Sequence, residues 1–365
     1  MIQSTSNRNQ AIDFLRGIAI LLTLFRHFGI NIYLYKIGWV GVDLFFVLSG
    51  FLVSGLLFGE YKKTSKINFG RFFVRRGLKI YPLFYLLFAL YFVDIKLNPI
   101  KKINYPALIP EAFFYKNYVG GDAFWIHTWS IDIEEHFYLL LPLLLLFLIF
   151  ITKNKENSFK SIPFLFAIIA INCLILRILA TIFLPFSHTN NVSPTHLRID
   201  SLFFGTLLSY FYHFHQTRLA DFVNNNKIIL RIGSFILLLP CLIFWDYDPQ
   251  MTTWGFSSLY LGFGGVLLLS IYSNNNYPKF LKKIYVLTAS MGLYSYGIYI
   301  IHWTLIWWFI LPNGGYLDSH YPVKLLVFFI YLGATFFCGW ALSKTVEIPF
   351  LALRDKLFPS KSKAF

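Results

Sequence analysis

Charge is scarce in this chain: Asp, Glu, Lys and Arg make up 13% of its 365 residues, against about a quarter in a soluble domain. Acids are the scarcer sign, 17 against 32 lysines and arginines. So few charges cannot cover a solvated surface, which excludes a large soluble domain. Cysteine is nearly missing too. Cys173, Cys241 and Cys338 lie far apart in apolar runs, so neither a disulfide framework nor a metal site is implied, and packing accounts for them. The polar start, MIQSTSNRNQ, and the long, charged apolar run after it predict no cleavable leader.

What fills the chain is apolar, 57% hydrophobic and 20% aromatic residues. Ten apolar segments are expected, at about 11–35, 38–58, 78–95, 136–152, 162–185, 198–215, 228–245, 254–272, 286–311 and 323–351. Each approaches the roughly 20 residues that a spanning helix needs. The reading is an all-α membrane protein, a bundle of about ten transmembrane helices. It forms one domain over residues 1–355, with a short basic tail at 356–365. The net charge of +15 could suggest nucleic acid, but the basic residues sit in short loops between apolar runs. Most of them fall on one side of a ten-span arrangement, which puts both termini in the cytoplasm by the positive-inside bias. No internal repeat of the transporter kind is visible.

Against that apolar background the ionisable residues stand out, because a charge at the bilayer centre is costly and usually faces a protein interior or polar cavity. The first run, AIDFLRGIAILLTLFRHF, carries Asp13, Arg16, Arg26 and His27. Eleven residues is three turns plus roughly 20°, so Arg16 and His27 share a helix face, about 16 Å apart. Arg26 points away. Asp43 is a second buried acid, near the start of the next span, and needs a partner. Arg71, Arg75 and Lys79 share a face, with Arg76 beside it, at the mouth of the third span. Such a cluster suits phosphates, which match guanidinium forks; an anchor on anionic lipid is the alternative. His127, Trp129, Ser130, Asp132, Glu134, Glu135 and His136 precede a leucine-rich span. The two adjacent glutamates point to different faces, so at most one shares a site with His127. Arg198 and Asp200 lie at the outer mouth of the sixth span. His302 reads as a hydrogen-bonded core histidine.

Taken in order, IDFLRGIAILLTLFRH, GVDLFFVLSGFL, RFFVRRGLKIYP, HTWSIDIEEHFYLLLP, LRIDSLFFG, SYGIYIIH and VEIPF resemble the acyltransferase family 3 membrane proteins. These are bacterial polytopic O-acyltransferases that modify envelope glycans and other acceptors. The family's Arg-x10-His pattern falls on Arg16 and His27, its basic motif on Arg71, Arg75 and Arg76, and its acidic motif on Glu134 and Glu135. Lys79 stands where relatives often carry arginine; it keeps the charge and loses the bidentate fork.

The resemblance implies a bacterial inner-membrane enzyme with acetyl-CoA or another acyl-CoA as donor and a carbohydrate or lipid-linked glycan as acceptor. No permanently bound cofactor, metal or nucleic acid is expected. The basic cluster would take the donor's phosphates. His27 would act as general base, or as a nucleophile through an acyl-histidine. Glu134 or Asp43 would hold its imidazole, and Arg16 would steady the donor or pair with Asp13. The acceptor would pass Asp43, His127, Trp129, Arg198 and Asp200. A transporter or flippase using the same buried charges as a substrate or proton path is the alternative.

Overall fold

The computed structural model describes residues 9–97, 105–120, 125–152, 157–273, 278–310 and 321–360. The basic residues Arg8, Lys101, Lys102, Lys153, Lys155, Lys361 and Lys363 and the asparagine-rich loop at 274–276 lie outside the described residues. Among the described residues there are only helices and connections, no strand.

In chain order the helices are α1 Gln10–Phe28, α2 Ile32–Gly38, α3 Val40–Thr64, α4 Phe69–Leu97, α5 Tyr105–Ala112 and α6 Lys116–Val119. They continue as α7 Trp129–Ile151, α8 Ile162–Phe183, α9 Thr195–Phe214, α10 Gln216–Asn225, α11 Lys227–Leu238 and α12 Pro240–Ile243. The last are α13 Phe256–Ile271, α14 Lys279–Leu293, α15 Ser295–Leu305, α16 Tyr321–Leu342 and α17 Ile348–Leu357. Six helical stretches are long and apolar enough to cross a membrane: 32–64, 69–93, 129–151, 162–183, 251–271 and 322–357. The pairs α10 with α11–α12, bent by 82°, and α14 with α15, bent by 77°, raise the number to eight if each is one span. α1 and α9 do not qualify. They hold Asp13, Arg16 and Arg26, and Arg198 and Asp200, all of them buried or half-buried.

Local chemistry sets the boundaries that matter for function. Asn9 caps α1 by accepting from the Ala11 amide at 3.0 Å. Gly29 ends it in the left-handed region, φ 67°, where a side chain would be strained. His27 is therefore held in the final turn, next to the chain reversal. α4 begins at Phe69 and runs through Pro82, so the basic cluster is part of the third span's own helix rather than a loop before it. α3 and α9 pack backbone to backbone. A Cβ on Gly50 would lie 1.9 Å from the Leu202 carbonyl oxygen, and one on Gly205 would lie 2.3 Å from that of Val47. A core of Ile20, Leu24, Phe28, Leu83, Phe84, Trp125, Ile298 and Ile301 joins α1, α4 and α15.

Candidate active site

Three histidines from distant parts of the chain meet beside that core. His27 comes from the last turn of α1, His127 from the turn before α7, and His302 from α15. Ring centroids are 4.9 Å apart for His27 and His302, 4.6 Å for His127 and His302, and 6.2 Å for His27 and His127. His302 Nε2 lies 2.9 Å from His27 Nδ1, and His302 Nδ1 lies 2.5 Å from the Tyr299 carbonyl oxygen.

The carbonyl at the end of this row assigns the protons. A carbonyl only accepts, so His302 Nδ1 carries hydrogen, and in the neutral ring its Nε2 is a lone pair. His27 Nδ1 must donate to that lone pair. His27 Nε2 is then the unprotonated nitrogen, and His27 has the form of a general base oriented by its neighbour.

His127 is 2% exposed, yet among the described residues neither ring nitrogen makes a hydrogen bond of good geometry. The Trp303 indole N–H is likewise buried and unmatched, and its ring meets His27 edge-on at 5.2 Å. A buried donor without an acceptor costs about 1–3 kcal/mol, a cost that a ligand's oxygen atom would remove. The turn carrying His127 is fixed by the Tyr299 hydroxyl, which donates to the His127 carbonyl at 2.7 Å and meets Ser130 Oγ at 2.6 Å. Burial, with His302, His27 and Lys116 nearby, holds His127 well below the ordinary imidazole value.

A second site lies at the other end of α4. Leu56, Leu57 and Glu60 of α3, Arg71, Phe72, Arg75, Arg76 and Lys79 of α4, and Arg354 of α17 line an open cleft of about 590 Å³. All four basic residues expected from the sequence are brought together there. Arg71 pairs with Glu60. The Arg76 guanidinium lies over the Tyr138 ring at 4.0 Å. Polar groups continue inward: Tyr138 and Ser49 each donate to Glu134 at 2.6 Å, and Tyr81 donates to Glu135 at 2.9 Å. On α4, Phe84 and Phe88 edge Trp125, with centroids 5.6 and 6.2 Å apart. Trp125 is two residues before His127. Arg76 to that level is about 12–18 Å by helix rise.

The other expected site residues have partners of their own. Glu134 does not hold His27; its oxygens are taken by Ser49 and Tyr138, and His302, read from sequence as a core histidine, holds His27 instead. Asp43 does not hold it either, since it pairs with Arg198 at 2.5 Å, and Arg198 stacks on Phe256 at 3.6 Å. Asp200 pairs with Arg177 at 2.9 Å. All four side chains are fully buried, and buried charges must find one another. These pairs tie α3 and α8 to α9. Trp129 packs against His188 and Phe46 at 5.2 and 6.2 Å. Arg26 pairs with Asp246 at 2.6 Å. Arg16 is half-buried on α1, three turns before His27. The two glutamates diverge onto different helices, α3 and α4, as adjacency demands. Among the described residues no group of three or more His, Cys, Asp or Glu is arranged to hold a metal ion.

A family model described as "Acyltransferase domain" matches residues 9–344. The chain is 27% identical over 320 residues to the peptidoglycan O-acetyltransferase OatA of Listeria monocytogenes, covering 81% of this chain and 49% of that protein. It is 26% identical over 340 residues to the O-acetyltransferase OatA of Staphylococcus aureus, covering 88% of this chain and 54% of that one. The chain thus spans about half the length of the curated relatives it matches. No solved structure matches it.

Proposed function

The chain belongs to the acyltransferase domain family, and from that membership we propose that it is a membrane O-acetyltransferase. It moves an acetyl group from acetyl-CoA to a hydroxyl of a cell-envelope carbohydrate. The observation that carries this reading is the His27–His302 hydrogen bond, which leaves His27 Nε2 as a base beside buried, unmatched donors. The names of the relatives support the acetyl group and the envelope acceptor.

The donor's phosphates take the basic cleft, and its pantetheine arm follows the polar row from Arg76 past Tyr138, Glu134 and Tyr81 toward the histidines. His27 Nε2 takes the acceptor's hydroxyl proton as that oxygen attacks the thioester carbonyl carbon. The carbonyl oxygen gains negative charge and accepts hydrogen bonds from His127 and Trp303. The carbon–sulfur bond then breaks, and the CoA sulfur leaves as thiol with the proton from His27. Donors aimed at such an oxygen are typically worth about 10²–10³ in rate. The reading includes ten spans with both termini cytoplasmic, so that donor and acceptor enter from opposite faces of the bacterial inner membrane.

The test is CoA release from acetyl-CoA by purified wild type and His27→Ala, with labelled acetate followed into host envelope glycans. Loss of both signals in a folded mutant that still binds CoA is expected. Equal activity in the mutant would remove His27 from the chemistry, and no CoA release from either protein, with glycan extract supplied, would favour the transport alternative.

A further inference from the structure

The basic cleft is closed on one side by α17, and the residues of that helix are bonded to the cations that the donor would need. Arg75 donates to the Phe358 carbonyl and pairs with Asp355 at 3.0 Å. Arg354 holds the same carboxylate, Nη2 to Oδ1 at 2.8 Å and Nε to Oδ1 at 3.0 Å. Asp355 thus sits between two guanidinium groups from different helices, as a phosphate would. Glu60 plays the same part for Arg71. The cleft contains five cations, Arg71, Arg75, Arg76, Lys79 and Arg354. With Glu60 and Asp355 counted, three positive charges remain.

We propose that Arg354 is a ligand for the phosphates of a nucleotide-bearing acyl donor, and that Asp355 is a built-in counter-anion which the phosphate displaces. The inference rests on the donor reading above and adds a residue and a control to it. Asp355 neutralises Arg75 and Arg354 and docks α17 onto α4. A phosphate carries more charge and more acceptor oxygens than a carboxylate, and guanidinium forks bind it bidentately. When it enters, both arginines pass from Asp355 to the phosphate, and α17 stays over it through Arg354. Asp355 therefore sets a threshold: weak anions do not open the contact, and the multiply charged donor does.

The experiment measures direct binding of CoA and of pantetheine, which lacks the phosphates, to the full chain in neutral detergent. Wild type is compared with Arg354→Gln, Arg354→Lys and Asp355→Asn. Arg354→Gln is expected to weaken CoA binding roughly tenfold or more, the size of one charge-assisted contact. Arg354→Lys falls between, because charge remains and the fork is lost. Asp355→Asn tightens CoA binding several-fold, and pantetheine binding is unchanged in all three. If Arg354→Gln fails to fold, the opposite shifts of Arg354→Lys and Asp355→Asn decide. Wild-type CoA affinity in every variant overturns the role of α17 and leaves the donor reading standing. CoA bound no better than pantetheine by wild type removes the donor reading itself. Displacement of CoA by phosphatidylglycerol, with none by inorganic pyrophosphate, would assign the cleft to a lipid headgroup and overturn the proposal.

Discussion

The hydrogen bond from His27 Nδ1 to His302 Nε2 makes a specific demand on residue 302: whatever stands there must offer an acceptor. His302→Gln keeps an amide oxygen that can accept the His27 Nδ1 hydrogen in place of the ring's lone pair, while His302→Phe keeps only the shape. We expect the Phe variant to lose roughly a hundredfold or more in kcat, within the usual worth of a positioned base, with the KM for acetyl-CoA unchanged. The Gln variant recovers part of the loss. Equal rates in the two variants would show that His302 only fills space. Trp303→Phe removes one N–H and little else. It is expected to lower kcat by about 10² and to leave CoA binding alone; steady-state kinetics on the two parameters separates this from loss of fold. His188 tests the fold rather than the chemistry. Burial, with Arg198, Arg26 and Lys116 nearby, pushes its imidazole down to about 4 from 6.5. Between those values the unfolded chain binds a proton that the folded chain refuses, so stability falls as pH drops through that window. His188→Gln should flatten the fall in thermal stability between pH 6.5 and 4, and an unchanged slope would place the acid sensitivity elsewhere.

Among elements, the contact of α3 with α9 leaves little room for change. Gly50 and Gly205 bring the backbones together, and Asp43–Arg198 locks the same pair of helices near their N-terminal ends. Asp43→Asn leaves Arg198 charged in a buried site, and breaking such a pair typically costs about 3–5 kcal/mol. Replacing both partners, Asp43→Leu with Arg198→Met, removes the desolvated charges together and should recover most of the loss in melting temperature. A double variant as unstable as the single would mean that the charges serve something other than each other. These residues also mark where the sequence stops informing. A lone buried Asp and a lone buried Arg, 155 positions apart in the chain, each look like a site, and only packing reveals that they cancel. The same blindness hid His302, whose motif is apolar and whose partner lies 275 positions away. Local spacing, by contrast, was enough for the basic cluster on α4, for the divergence of Glu134 and Glu135, and for the helical class. Of the ten spans expected, length and apolarity alone mark six, or eight with the bent pairs; α1 and α9, which carry buried or half-buried charges, are the two that this measure leaves out.

At the scale of the whole molecule, the histidines and the basic cleft lie toward opposite ends of α4, and the helices that carry them run in alternating directions. His27 closes α1 and His127 precedes α7, while Glu60 lies near the end of α3 and Arg71 near the start of α4. If the two sites face opposite sides of the bilayer, a donor held by its phosphates on one side can present its thioester to an acceptor arriving from the other, and the acyl group crosses without a carrier moving. This makes a prediction about topology. Single cysteines in a background lacking Cys173, Cys241 and Cys338 would be labelled in intact cells by a membrane-impermeant maleimide. An exposed position beside the cleft, Lys356, is expected to react only after the cells are opened. An exposed position just after α8, Pro185, is expected to react in intact cells. Labelling of both from outside, or of neither, would put the two sites on one face. Acyl transfer would then have to proceed with donor and acceptor on the same side, and the polar row between cleft and histidines would lose its purpose as a path through the membrane.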